Sequence, residues 1–151
     1  MGTDALSGGS KKGLRKGAEE TIEGGYYVYR ALRKGENPQL GLRARTPGHK
    51  TAFGSHIMGK RESNLISTTK DESIAREIFD NGNGVVRIDL REVCGPVHDL
   101  SNGFGRGRVY SRSKSHKEVL IEDTGGAIPP IPPSAIQVIK KSEVCEWFII
   151  N

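Results

Sequence analysis

Alternating apolar and polar positions predict a set of short β-strands along the chain. Residues 26–32 (YYVYRAL), 64–68 (NLIST), 85–90 (VVRIDL), 118–122 (EVLIE) and 135–140 (AIQVIK) are rich in β-branched and aromatic residues. Residues of these types favour strands, and glycine, proline and asparagine between the runs favour turns. The pattern therefore predicts five strands separated by irregular connections.

Helical periodicity is confined to two segments. Leu14, Ala18 and Ile22 follow an i, i+4, i+8 spacing, which predicts a short amphipathic helix over 14–23. A second helix is predicted after the strand at 64–68, because Thr69 and Glu72 have the Thr-x-x-Glu spacing of a capping box. The apolar residues predicted on one face of this second helix, which ends at Asn81-Gly82, are Ile74, Ala75, Ile78 and Phe79.

The remaining chain divides into a lead-in, one domain and long loops. The glycine-rich residues 1–24 predict a flexible lead-in with the short helix, and 25–151 predict one folded domain. Residues 33–64 predict a long loop with room for one helical turn, which is typical of a functional loop. The tail at 143–151 ends in WFII and predicts an edge strand or a packed tail.

Composition narrows the class of protein. A hydrophobic fraction of 34% and 20 glycines favour an α+β or mostly-β domain over a helical bundle. The formal charge of +5 favours an anionic partner such as RNA or a phosphate-bearing ligand, although it also fits a protein that is merely kept in solution. No apolar run is long enough to span a membrane, so we expect no membrane contact, and no signal peptide is visible.

The cysteines and histidines predict no metal site. Cys94 and Cys145 lie far apart, and the four histidines lack the spacing of metal ligands. The two cysteines could form one disulfide or remain two ordinary thiols.

Three polar residues interrupt the predicted strands. Arg30 lies on the same strand face as Val28 and Leu32, where an unpaired charge is costly. A guanidinium there suggests either a bound anion, with phosphate as its natural bidentate partner, or a structural ion pair with a core carboxylate.

Ser67 and Glu118 are the other two. Helix capping would explain Thr69 but not Ser67, which lies inside the strand and could hydrogen-bond a nearby carboxylate. Glu118 opens a predicted strand, although glutamate is depleted in strands. It could be an edge residue facing water, and Glu122 on the same face is the alternative candidate.

Residues 101–117 form an acid-free, basic segment that we predict to be a loop. Phe104 and Tyr110 alternate with arginines, a combination that suits phosphate contacts and base stacking. A solvated flexible loop would have the same composition.

Short motifs in a fixed order resemble a known family. Residues 29–31 (YRA), 65–69 (LISTT), 118–119 (EV), 126–129 (GAIP) and 133–136 (PSAI) resemble the motifs of arginine–serine–glutamate type ADP-ribosyltransferases. That branch of the family includes cholera toxin and heat-labile enterotoxin. Extra prolines between the last two motifs depart from the family pattern.

The resemblance implies an α+β split β-sandwich, in which two small packed sheets with a few flanking helices enclose a cleft for NAD. Residues 25–151 would be the catalytic domain. Arg30 would hold the NAD phosphate and ribose, Ser67 would brace the glutamate, and Glu118 would stabilise the oxocarbenium-like transition state as nicotinamide leaves. The implied NAD-contacting residues are Arg30, Ala31, Ser67, Thr68 and His56.

One departure concerns the acceptor. Arginine-modifying members place a second acid two residues before the catalytic glutamate, whereas this chain has His116 there. We therefore expect the acceptor to be RNA, or a protein close to RNA such as a translation factor, rather than an arginine side chain. The residues expected to recognise it are Arg106, Arg108, Tyr110, Arg112 and His116.

The resemblance also implies a biological setting. Domains with this motif order are found at the C-terminal tips of secreted bacterial toxins of the Rhs type. We therefore expect delivery from a bacterial producer, action as a monomer in the target-cell cytoplasm, and a cognate immunity protein. Two other interpretations stay open: a non-enzymatic RNA-binding module, and an NAD-independent ribonuclease toxin with His116 and Glu118 as acid and base.

Overall fold

The computed structural model describes residues 26–140, which form a mixed α+β fold around a six-stranded antiparallel sheet. The five predicted strands are confirmed with small shifts of their ends. A sixth strand was not predicted, because it has only three residues and follows a proline. The strands are β1 (Tyr27–Ala31), β2 (Leu65–Thr69), β3 (Val85–Asp89), β4 (Val97–Asp99), β5 (Glu118–Glu122) and β6 (Ile136–Lys140). The predicted helix at 14–23 and the tail at 143–151 lie outside the described residues.

The sheet is divided at its middle. The strand order is β4-β5-β2-β1-β3-β6, and β1 pairs with β2 through the single register pair Tyr29–Thr69. By contrast, five register pairs join β1 to β3 and five join β2 to β5. We expected two small packed sheets; the described residues instead form one sheet whose three-stranded halves are joined by a single register pair.

The helix after β2 differs from the prediction. Its N-cap is Asp71, whose Oδ1 accepts a hydrogen bond from the Ser73 amide at 2.9 Å. Thr69 belongs to β2 and is not the cap, so the predicted capping box is wrong. The helix α1 (Phe53–Ile57) precedes β2, and α2 (Glu72–Ile74) follows it.

A π-helix at Ala75–Phe79 continues α2. Its wider turn breaks the 3.6-residue period on which the predicted apolar face depends. Ala75 is fully buried, but Ile78 and Phe79 are exposed. The predicted single buried face is therefore wrong.

The basic segment at 101–117 contains a helix, not only a loop. Residues Gly107–Ser115 form α3, which Ser113 holds against the segment before it. The buried Ser113 hydroxyl accepts from the Phe104 amide at 2.8 Å and donates to the Val109 carbonyl at 2.8 Å. Serine and glycine are poor helix formers, which is why composition favoured a loop.

Two apolar clusters lie on opposite faces of the sheet, as strand alternation requires. The larger cluster includes Val28, Ile66, Val119 and Ile121. The smaller consists of Leu65, Leu100 and Leu120, with Phe53 and Ile57 of α1 packed against it. Helix α1 covers the face of β2 that carries Leu65 and Ser67. Its residue His56, which precedes Ile57, therefore reaches Ser67.

Candidate active site

Residues of both β1 and β2 line a cavity of about 380 Å³. That volume lies in the usual range of small-molecule sites. The cavity brings together the three polar strand residues, Arg30, Ser67 and Glu118, although they are far apart in sequence. The other predicted residues that line it are Ala31, His56, Thr68, Arg112 and His116.

Glu118 is the most perturbed acid of the site. Its side chain is 7% exposed at the start of β5, beside Thr69 of β2. Burial raises the pKa of Glu118 to about 7, against the opposing effects of a hydrogen bond from Ser67 and the charge of Arg30. Within residues 26–140, Oε2 of Glu118 is buried and has no hydrogen-bond partner. A buried carboxylate oxygen with no partner is unusual, and Glu118 is one of the residues that line the cavity.

A chain of hydrogen bonds fixes the Ser67 hydroxyl. The Leu65 amide donates to Ser63 Oγ at 3.0 Å, which leaves the Ser63 hydroxyl to donate to His56 Nδ1 at 2.8 Å. His56 Nε2–H then donates to Ser67 Oγ at 2.7 Å, which leaves the Ser67 hydroxyl to donate toward Glu118, and its effect is to lower the pKa of that carboxyl. This direction satisfies every donor in the chain, so it assigns His56 the neutral tautomer protonated at Nε2.

His56 is neutral for a second reason. Burial, followed by the nearby charge of Arg30, lowers the pKa of His56 to about 4. A neutral imidazole can donate at one nitrogen and accept at the other, as this chain requires. His56 therefore holds Ser67 by a hydrogen bond and lines the cavity, and its predicted contact with NAD stays a prediction.

Arg30 is held by two partners. Its Nη1 donates to the Ser67 carbonyl at 2.7 Å, and its Nε and Nη2 bind the Glu36 carboxylate at 3.3 and 3.0 Å. The side chains of Arg30 and Glu36 are each 9% exposed. Burial opposes ionisation of Glu36, but Arg30 and Arg33 outweigh it and lower the pKa of Glu36. The structural ion pair that the sequence left open is therefore present.

Thr68 is less available than the resemblance implied. It is 5% exposed, and its hydroxyl donates to the Val119 carbonyl at 2.7 Å. It ties β2 to β5 beside the cavity, so its hydroxyl is already used.

The residues expected to recognise an acceptor divide into two groups. Arg112 and His116 line the cavity, and the Phe79 ring packs edge-on against the His116 ring at 4.8 Å between centroids. Burial, followed by the charge of Arg112, lowers the pKa of His116. Arg106, Arg108 and Tyr110 are exposed at the start of α3 and do not line the cavity.

Sequence reasoning missed three residues that build the site. Glu36 and Ser63 lie in the predicted loop at 33–64, where no periodicity marks them. Asp123 directly follows β5 and is fully buried. Its carboxylate accepts from the Arg43 guanidinium at 2.9 and 3.1 Å and from the Ala44 amide at 3.1 Å, which anchors the loop that walls the cavity.

Residues 26–140 contain no group of three or more histidine, cysteine, aspartate or glutamate side chains that could hold a metal ion. In the same part of the chain, no helix combines the length and apolar character needed to cross a membrane. Cys94 is exposed, and Cys145 lies outside the described residues.

The chain was compared with known proteins in three ways. No protein-family model, no curated protein and no solved structure matches it.

Proposed function

We propose that the protein is a mono-ADP-ribosyltransferase that moves ADP-ribose from NAD to a macromolecular acceptor. The observation that carries this proposal is the buried Glu118 carboxyl, which has one oxygen without a partner in the described part of the chain. It lies in one cavity with Arg30 and Ser67, in the chain order of the family motifs.

The proposed chemistry needs a fixed negative charge beside a developing cation. The bond between the ribose C1′ and the nicotinamide nitrogen breaks, and nicotinamide leaves with the bonding electron pair. The acceptor nucleophile then forms a bond to C1′ and loses its proton. A carboxylate held in a low-dielectric cavity stabilises the oxocarbenium-like transition state more strongly than water does.

Glu118 must be ionised for this work. Its pKa of about 7 means that it is half protonated near neutral pH in the free protein. The Ser67 hydroxyl favours the ionised form, because it donates to Glu118 and is itself fixed by His56. We therefore expect transfer to increase with pH through the range near 7.

The basic side chains near the cavity support an anionic acceptor. Arg112 and His116 line the cavity, and Arg106, Arg108 and Tyr110 extend the surface along α3. RNA, or a protein bound to RNA, would meet these cations and an exposed aromatic ring. Modification of such an acceptor would block an essential process such as translation. Delivery from a bacterial producer into the target-cell cytoplasm and a cognate immunity protein belong to the same proposal.

The test compares two glutamates of β5. Glu118→Gln and, as the matched control, Glu122→Gln are incubated with a bacterial lysate and NAD labelled in its adenylate part. Glu122 is paired with His98 at 3.0 Å, and neither residue lines the cavity. We expect Glu118→Gln to reduce labelling about a hundredfold or more, whereas Glu122→Gln labels like the wild type. Undiminished labelling by Glu118→Gln, or no labelling by the wild type, would contradict the assignment.

Treatment of the labelled products identifies the acceptor class. Label that RNase removes and protease leaves in place indicates an RNA acceptor. Label that only protease removes indicates a protein acceptor.

One observation also favours a second function. His116 and Glu118 line the same cavity, so they could act as acid and base in an NAD-independent ribonuclease. RNA cleavage without NAD that both His116→Ala and Glu118→Gln abolish would support this function instead. Salt-dependent RNA binding that needs Arg106, Arg108 and Arg112 but not Glu118 would indicate the non-enzymatic module.

A further inference from the structure

The cavity contains more positive charge than its own acids neutralise. Arg30 and Arg33 share the carboxylate of Glu36, with Arg33 Nη2 at 3.1 Å from Oε2. Arg43 is paired with Asp123 at 2.9 Å. These three arginines line the cavity, and two carboxylates offset part of their charge.

Four further arginine and lysine side chains line the same cavity, and one of them, Arg112, donates a hydrogen bond to the Ile57 carbonyl. Within residues 26–140, the side chains of Arg45, Lys60 and Arg61 make no ion pair and no hydrogen bond, and all three are exposed. We call them the cation cluster.

The backbone holds the cluster together. The Thr46 amide donates to the Ser63 carbonyl at 3.0 Å, so the loop segment that contains Arg45 lies beside the loop segment that contains Arg61. The Lys60 amide donates to the Ser55 carbonyl at 3.0 Å, which fixes Lys60 at the end of α1. The cluster is thus a property of the local fold and needs no side-chain contact to form.

The cations of the cluster repel their neighbours. Burial, and then the charges of Arg33, Arg61 and Arg30, lower the pKa of Arg45, and Glu36 offsets only part of this effect. Like charges this close destabilise a protein unless an anion lies between them.

We propose that the cation cluster, rather than Arg30, binds the diphosphate of the dinucleotide substrate. This inference rests on the proposed function. Arg30 is unsuited to the task because Glu36 already takes its bidentate face, whereas Arg45 and Arg61 each have a free guanidinium for a phosphate oxygen. A diphosphate carries two negative charges, which match two adjacent guanidinium groups. Arg30 instead positions the β2 backbone by its hydrogen bond to the Ser67 carbonyl.

The experiment measures binding without transfer. ADP-ribose has the diphosphate but no nicotinamide, AMP has one phosphate, and nicotinamide has none. Calorimetric titration with each probe is carried out on the wild type, Arg45→Gln, Arg61→Gln and Lys34→Gln. Lys34 is an exposed cation that does not line the cavity, so its variant controls for net charge.

We expect Arg45→Gln and Arg61→Gln each to weaken ADP-ribose binding about tenfold, as the loss of one charge-assisted hydrogen bond implies. AMP should lose less, nicotinamide nothing, and Lys34→Gln should bind all three probes like the wild type. Melting temperatures equal to that of the wild type would show that the exposed substitutions leave the fold intact.

Failure of this inference can be told from failure of the proposed function. If ADP-ribose binding depends on the cation cluster but no NAD-dependent labelling occurs, the diphosphate site is supported and the proposed transferase activity is contradicted. If labelling occurs while both variants bind ADP-ribose normally, the site is overturned. No ADP-ribose binding by the wild type would overturn it as well.

Discussion

Glu118 and His56 titrate in opposite senses, so replacing either one should reveal the effect of the other on stability. Burial raises the pKa of Glu118 from 4.5 to about 7. A carboxyl with a raised pKa favours the folded protein at low pH. Its contribution is complete below pH 4.5 and is lost as the pH rises to about 7.

His56 has the reverse dependence. Burial and Arg30 lower its pKa from 6.5 to about 4. A histidine that stays neutral in the folded protein favours folding at high pH. Its contribution is complete above pH 6.5 and is lost as the pH falls to about 4.

The two contributions are similar in size. One pKa unit corresponds to about 1.4 kcal/mol, so each shift is worth about 3 kcal/mol in the free energy of unfolding. Because the slopes oppose each other, the pair should leave the wild type nearly flat between about pH 4.5 and about pH 6.5. Glu118→Gln should lose about 3 kcal/mol as the pH falls from 6.5 to 4, and His56→Gln about 3 kcal/mol as it rises from 4.5 to 7.

Urea unfolding of both variants from about pH 4 to about pH 8 measures these slopes. Each variant is compared with the wild type at the same pH, so groups common to both cancel. Parallel curves for Glu118→Gln and the wild type would refute the reasoning, because they would show that Glu118 titrates as an ordinary glutamate.

Three further changes test other parts of the structure. Asp123→Asn should lower the free energy of unfolding by about 3 kcal/mol in urea titrations, because Arg43 and loop amides lose a buried carboxylate. Ser63→Ala should shift the His56 tautomer in nitrogen NMR spectra and slow NAD turnover about tenfold, and it should lower the free energy of unfolding by about 1 to 3 kcal/mol because the buried Leu65 amide loses its acceptor. Gly41→Ala should cost about 1 to 3 kcal/mol in thermal unfolding, because φ is +82° and a Cβ would lie 2.9 Å from a carbonyl oxygen; an unchanged melting temperature would contradict this.

Five of the strands could be predicted because apolar and polar residues alternate with a period of two in five short segments of the sequence. The same pattern exposed Arg30, Ser67 and Glu118, since a polar residue inside an apolar run must have a buried partner or a function. Pairing along β5 and β2 then brings Glu118 beside Thr69, next to Ser67. These three residues of the candidate site could therefore be predicted from the local pattern of apolar and polar positions.

The helices were less predictable for physical reasons. The π-helix at Ala75–Phe79 follows no sequence period that a 3.6-residue pattern would detect. Helix α3 is held in place by Ser113, whose hydroxyl accepts a hydrogen bond from the Phe104 amide in the segment before the helix. Such tertiary contacts override the weak propensities of the segment.

The partner of Arg30 could not be read from the sequence, and it decides how Glu118 behaves. Gly35, with φ of +90°, turns the chain after β1 so that Glu36 folds back onto Arg30. Since Glu36 takes the bidentate face of the guanidinium, Arg30 offsets the burial of Glu118 only in part, and the pKa of Glu118 stays near 7. Had Arg30 faced Glu118 instead, the pair would neutralise itself and leave no carboxylate oxygen for a ligand. A turn of a few residues in a segment without periodicity thus sets the charge state on which the proposed chemistry depends.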